Sequence, residues 1–152
     1  MEFPMPQHNR RFTALALACA CTLSLAGCGL VDATLNHQLA LQDALEKSSG
    51  QDAVTLPVDD LYPAAEKVVL VCPYSGAAAN DLLGHEAFKG YEDVDEGANW
   101  VAVKETNGAT IKVAIDRTQI DLCAESAIAA EDVTGGSLEF EQRGGTWFFT
   151  GM

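Results

Sequence analysis

The sequence predicts an α+β domain: one antiparallel sheet of about five strands with helices on one face, preceded by an N-terminal helix. Three observations carry that expectation. The run Val68-Val69-Leu70-Val71 is apolar on both faces and mostly β-branched, as a buried central strand is. Alternating apolar and polar segments flank Thr106-Asn107-Gly108 and again Gly144-Gly145, and each set reads as a hairpin. Between residues 31 and 48 the apolar positions recur with a helical period.

The helix spans Asp32 to Ser48. Asp32 caps its start, and Gly50 after Ser48-Ser49 ends it. Val31, Leu35, Leu39, Leu41 and Leu45 fall within an arc of about 160°, so this face must pack, on its own domain or on a partner helix. Gln51 to Val58, of mixed polarity and holding Pro57, reads as a linker. Asp59 to Pro63 makes a turn or a short helical start. The strand from Lys67 to Cys72 stops at Pro73, Ser75 and Gly76 open a helix over Ala77 to Leu83, and Gly84 closes it. Gly90 to Asn99 is acidic and turn-rich.

Trp100 to Glu105 and Ala109 to Ile115 form the first hairpin, and side-chain alternation decides its register. A two-residue turn at Asn107-Gly108 would pair Lys104 with Ile111 and Val103 with Lys112, mixing both faces. A three-residue loop over Thr106-Asn107-Gly108 pairs Val103 with Ile111, Val101 with Val113 and Lys104 with Thr110. One face then stays apolar, and Gly108 supplies the left-handed position. Asp116 to Asp121 is a turn leading to Leu122-Cys123, and alanine-rich Ala124 to Asp132 is expected to be helical. In the last hairpin a two-residue loop puts Leu138, Phe140, Trp147 and Phe149 on one face, with Glu139, Glu141, Arg143 and Phe148 on the other. Phe148 and the final strand read as an exposed sheet edge open to pairing.

The first residues divide into three regions. Residues 1–11 are polar and end in Arg10-Arg11; Phe12 to Leu25 is an uncharged apolar run of 14 residues; Ala26, Gly27 and Cys28 follow. The run has the length of a signal-peptide core and falls short of the ~20 residues of a membrane span. Leu25-Ala26-Gly27-Cys28 resembles the lipobox of bacterial lipoproteins. The resemblance implies a diacylglyceryl group on the Cys28 thiol, cleavage of the Gly27–Cys28 bond, and an acyl-chain (palmitate-type) membrane anchor. The alternatives are an ordinary secretory signal or a short membrane anchor. Gly29 rather than Asp follows the cysteine, which by the same resemblance favours the outer membrane in a cell that has two. The division that follows is a removed leader (1–27), a lipidated cysteine with amphipathic helix and linker (28–56), and a small α+β domain (57–152). The expected place is the cell membrane or outer membrane, facing outside the cytoplasm.

Without the leader, 7 basic and 21 acidic side chains remain, a net charge of −14. Such a chain repels nucleic acid and anionic head groups, so neither is an expected partner; the membrane is expected as one only through lipidated Cys28, as the resemblance implies, with another envelope protein as the second. Cys19 and Cys21 leave with the leader, and Cys72 and Cys123 are left in an oxidising compartment, where a disulfide between them is the expectation and two separate buried thiols the alternative.

Glu66-Lys67-Val68-Val69-Leu70-Val71-Cys72-Pro73-Tyr74-Ser75, followed by Leu82-Leu83-Gly84, resembles a pattern in small secreted bacterial proteins and lipoproteins. There an aromatic, acidic and basic triplet leads into a strand that exits at Pro-Tyr-Thr or Pro-Tyr-Ser. Ala65 stands where that pattern carries Trp. The family has no assigned activity, so the resemblance implies a shared fold and no function.

No catalytic constellation and no cofactor motif stands out. A Cys72 thiol with His85 as base would make a small hydrolase or thiol enzyme, but no Cys-x-x-Cys and no glycine-flanked turn supports it. His37 and His85 read as surface or capping residues. Asp93 and Asp95, within Glu92-Asp93-Val94-Asp95-Glu96-Gly97, would suit a calcium or small-ligand carrier, yet the run lacks the remaining ligands of an EF-hand loop. Tyr74, Ser75 and Arg117 are the polar candidates for a binding site, against a packed Tyr and an Arg–carboxylate pair. The expectation is a lipid-anchored envelope protein whose domain binds or supports another component.

Overall fold

The computed structural model describes His37 and residues 40–89, 96–125 and 129–152. His37 and residues 40–47 are helical (α1). There follow β1 (Ala53–Pro57), α2 (Val58–Leu61), β2 (Ala65–Val71), α3 (Gly76–Leu83), β3 (Ala98–Glu105), β4 (Thr110–Asp116), β5 (Ile120–Asp121), β6 (Ala130–Asp132), β7 (Ser137–Arg143) and β8 (Thr146–Gly151). The class is α+β, but the strands form two four-stranded sheets, not one of about five. The first has the order β1-β7-β8-β5 and the second β4-β3-β2-β6. Every pairing is antiparallel except β5 with β8. Among the described residues no helix is long and apolar enough to cross a membrane. The expected leader with Cys28, the expected helix start at Asp32, and Asp93 and Asp95 of the acidic run lie outside the described residues.

The apolar face of each hairpin meets the other. Val101, Val103, Val113 and Ile115 from β3 and β4 share one buried cluster with Leu138, Phe140, Trp147 and Phe149 from β7 and β8. Alternation along a strand says which face is buried, not whether a helix or a second sheet covers it. β2 contributes Val68 and Leu70 to this cluster and turns Val69 and Val71 the other way, onto Ala79 and Leu83 of α3 and onto Phe88. The central, doubly buried strand is therefore as expected, while the helices do not share one face. α1 instead sends Leu41 and Leu45, each 1% exposed, into the core between the sheets. Burying each is worth about 1.5–3 kcal/mol, which seats this face of α1 on the core.

The first hairpin has the three-residue loop and the register Val103–Ile111, Val101–Val113, Lys104–Thr110 that side-chain alternation requires. Gly108 lies at φ 87°, and the Asn107 side-chain oxygen accepts the Ala109 N–H at 2.8 Å. In the second hairpin Gly144 and Gly145 both have positive φ, as a two-residue turn matching strand twist needs. Gly84 ends α3 at φ 77°, but Ser75 makes no side-chain cap, and its hydroxyl donates to the Pro73 carbonyl instead.

Three segments depart from expectation. Gln51–Val58 is no linker, because β1 occupies most of it and pairs with β7. Pro57 is tolerated there because Gln142 N–H bonds the Asp52 carbonyl and Val58 N–H the Gly136 carbonyl, both at 2.9 Å. These set the bonded pairs at even positions and leave the proline nitrogen facing outward at the sheet edge. Ala124–Asp132 does not continue as a helix, since its last three residues are β6, paired with β2. β8 is not the sheet edge, because β5 pairs with Trp147 and Phe148. Phe148 is half-buried, with the Arg143 guanidinium 5.5 Å from its ring centroid.

Asp132 fastens β6 to its neighbours. One carboxylate oxygen accepts the Thr134 N–H and hydroxyl, and the other lies 3.1 Å from Lys67 Nζ. Thr134 in turn accepts the Val68 N–H, and Lys67 also donates to the last turn of α3 at the Leu82 carbonyl. Burial opposes ionisation of Asp132, but Thr134 and Lys67 outweigh it and hold the carboxyl below its ordinary 3.8. A depressed carboxyl contributes stability above its unfolded value and loses it as the pH falls through its folded value. Acid titration of unfolding should therefore show a smaller loss below about pH 3.8 for Asp132→Asn than for the unsubstituted chain; equal slopes would mean that Asp132 is not a source of the acid sensitivity.

Candidate functional site

Leu41 and Leu45 fix the roll of α1, and hollows open along its two flanks. Gln42, Leu45, Glu46 and Ser49, spaced i, i+3, i+4 and i+7, face one of them. Its far wall comes from Thr118, Gln119 and Ile120 ahead of and in β5, and from Gln142, Gly145 and Trp147 of the second hairpin. The volume is about 310 Å³. Asp116 holds this rim, accepting the Thr118 N–H at 2.8 Å and its hydroxyl at 2.7 Å. Both bonds hold the Asp116 carboxyl below its ordinary value. Thr146 Oγ1 donates to the Thr118 carbonyl at 2.6 Å and Trp147 N–H to the Gln119 carbonyl at 2.9 Å, so rim and hairpin are tied together.

Chemically, this wall offers the carboxamides of Gln42, Gln119 and Gln142, the hydroxyls of Ser49 and Thr118, and one carboxylate, Glu46, beside apolar Leu45, Ile120 and Trp147. Each amide carries donors and an acceptor together. No Lys, Arg or His is among the described residues lining it.

The other hollow, about 580 Å³, lies between His37, Asp43 and Lys47 on α1 and Asp60, Leu61 and Glu105 opposite. His37 is buried, where a surface or capping residue is expected from sequence. Its Nε2 lies 3.3 Å from Glu105 Oε1, and its ring centroid 5.7 Å from that of Tyr62. The Tyr62 hydroxyl is buried without a partner among the described residues, and burial pushes its pKa up, so it stays neutral. The carboxylate-held imidazole ties α1 to the β3–β4 hairpin.

The residues singled out from sequence meet in part. Cys72 and Cys123 are joined as a disulfide. This joins the end of β2 in the second sheet to the residues just after β5 in the first. The pair takes up the thiol that a Cys72/His85 enzyme would use. His85 instead accepts or donates at Thr110 Oγ1, 3.0 Å from its Nε2. Arg117 pairs with Asp121 at 2.9 Å, the carboxylate partnership expected of it, and Asp121 also accepts the Cys123 N–H. A line of contacts therefore runs from Arg117 through Asp121 and the disulfide to the Pro73-Tyr74-Ser75 turn. Tyr74 is not packed but 52% exposed. It sits at φ 62° in a turn closed by Ser75 N–H to the Cys72 carbonyl, at the place where glycine is usual. Cys28, Asp93 and Asp95 lie outside the described residues. Among the described residues no group of three or more His, Cys, Asp or Glu is placed to hold a metal ion.

Sequence reasoning missed the hollow beside Trp147 altogether. Gln42, Glu46 and Ser49 share a polar helix flank next to Leu45, a pattern that any solvated flank also has. Gln119 and Gln142 are isolated polar residues, and only the fold makes them neighbours. Compared with known proteins, the chain matches no family model, no curated protein and no solved structure.

Proposed function

We propose that this is a lipid-anchored protein of a bacterial cell envelope, held by Cys28 outside the cytoplasm, whose folded part is a binding module. The observation that carries the reading is the Cys72–Cys123 disulfide, which links the two sheets. Two cysteines far apart in sequence and joined in the fold suit an oxidising compartment. The leader with Leu25-Ala26-Gly27-Cys28 leads to the same compartment by an independent route. Full extension of the chain from Cys28 to His37 spans at most about 30 Å, so the anchor would keep α1 and its two hollows near the membrane surface.

Intact mass of the membrane-extracted protein tests the reading. The expected species begins at Cys28 and carries acyl groups, with Cys72 and Cys123 alkylated only after reduction. Cys28→Ser should leave the leader uncleaved and the acyl mass absent. An unsubstituted chain that carries no lipid, or whose Cys72 alkylates without reductant, would overturn it.

A further inference from the structure

The geometry points to the hollow between α1 and the β7–β8 hairpin as a binding site for a neutral saccharide of one or two rings. This rests on the reading of the folded part as an envelope binding module and names the ligand class. A sugar ring presents hydroxyls, each donor and acceptor at once, around an apolar C–H face. The hollow answers both demands. Gln42, Gln119 and Gln142 bring amides that donate and accept, and Glu46 brings a carboxylate able to accept from hydroxyls. Among the described residues none of these four side chains is engaged by a hydrogen bond or an ion pair, so their capacity is open to a ligand. Trp147, 6% exposed, shows a narrow apolar edge at the floor of the hollow, with Leu45 and Ile120 buried behind it.

Charge narrows the class further. No cationic side chain lines the hollow among the described residues, so a phosphate or carboxylate ligand would find no charge-assisted partner. The chain's net charge of −13 opposes it as well. A volume of about 310 Å³ sits at the small end of ligand pockets, roughly 300–1,000 Å³, with room for a mono- or disaccharide. The walls are held in advance of any ligand. Leu45, Ile120 and Trp147 are buried in the core, and the Asp116–Thr118 and Thr146–Thr118 bonds fix the rim.

The test uses the full chain, extracted in a detergent without a sugar head group. Trp100→Phe leaves Trp147 as the single indole, since the sequence has two. Titration with N-acetylglucosamine, glucose and galactose and their disaccharides should give a saturable change in Trp147 fluorescence with at least one of them. Gln142→Ala should weaken that binding by up to about tenfold, as one lost hydrogen bond would. Glu139→Gln, on the outer face of the first sheet, should not. Titration calorimetry on the unsubstituted chain gives the same answer should Trp100→Phe disturb the fold. No saturable binding by any of these sugars, or binding indifferent to Gln142→Ala and Gln119→Ala alike, overturns the assignment. Saccharide bound by a chain without lipid at Cys28 would overturn the anchor alone; lipid present with no saccharide bound would overturn this inference alone.

Discussion

Asn99→Ala should cost about 2–6 kcal/mol of folding stability, read as a lower urea midpoint. Asn99 is fully buried in β3. Its amide nitrogen donates to the carbonyls of Ile115 and Ile120, at 3.2 and 3.0 Å, and its side-chain oxygen accepts the Leu122 N–H at 2.9 Å. One side chain thereby fastens the second sheet to β5 of the first. Alanine leaves the Ile120 carbonyl and the Leu122 N–H buried without a partner, at roughly 1–3 kcal/mol each. Asn107→Ala, at an exposed turn, serves as the control and should cost no more than about 1 kcal/mol. Asn99→Ala also loosens the strand that carries Ile120, so the Trp147 amide, bonded to Gln119, should exchange its hydrogen faster. A cost within about 1 kcal/mol for Asn99→Ala would show that these bonds do not seat β5.

The double replacement Cys72→Ser/Cys123→Ser should cost about 4 kcal/mol, a fall in melting temperature on the order of 15 °C. The two cysteines are 51 residues apart. Joining them removes much of the conformational freedom of that loop from the unfolded chain, by the loop-entropy argument. Reductant should reproduce the loss in the unsubstituted protein and leave the serine variant unchanged. An unsubstituted protein whose melting temperature ignores reductant would mean that the two sulfurs are not joined in solution. Because the bridge links the end of β2 to the segment after β5, its removal should also loosen one sheet against the other.

What was legible in the sequence was mostly local. The register of the first hairpin followed from one requirement, that Val101, Val103, Ile111 and Val113 share a face. The second hairpin followed from Gly144-Gly145, and the double burial of β2 from its unbroken apolar run. The Cys72–Cys123 pair is the one left by elimination if Cys19, Cys21 and Cys28 are read as belonging to a leader and its lipid site. Less visible was β1, whose Val54 and Leu56 alternate correctly but sit beside a proline usually taken to break a sheet. Asn99 looked like one more turn residue at the end of an acidic stretch. Its three bonds run to residues that sequence separates from it by 16 to 23 positions. The hollow beside Trp147 was invisible for the same reason, since its amides come from α1, the approach to β5 and β7.

By itself the sequence determined the class, both hairpins with their loops and the register of the first, and the doubly buried strand with its following helix. Each of these follows from the period of neighbouring side chains or from counting. The bulge that shifts the second hairpin between Glu139 and Phe140 was not shown by the sequence. Only the tertiary structure decided that the strands form two sheets, that β5 joins the first of them in parallel, that His37 is buried against Tyr62 and Glu105, and that one flank of α1 closes a polar hollow over Trp147. A strand's alternation states that one face is apolar. It carries no information about which other apolar face, distant in the chain, will exclude water from it.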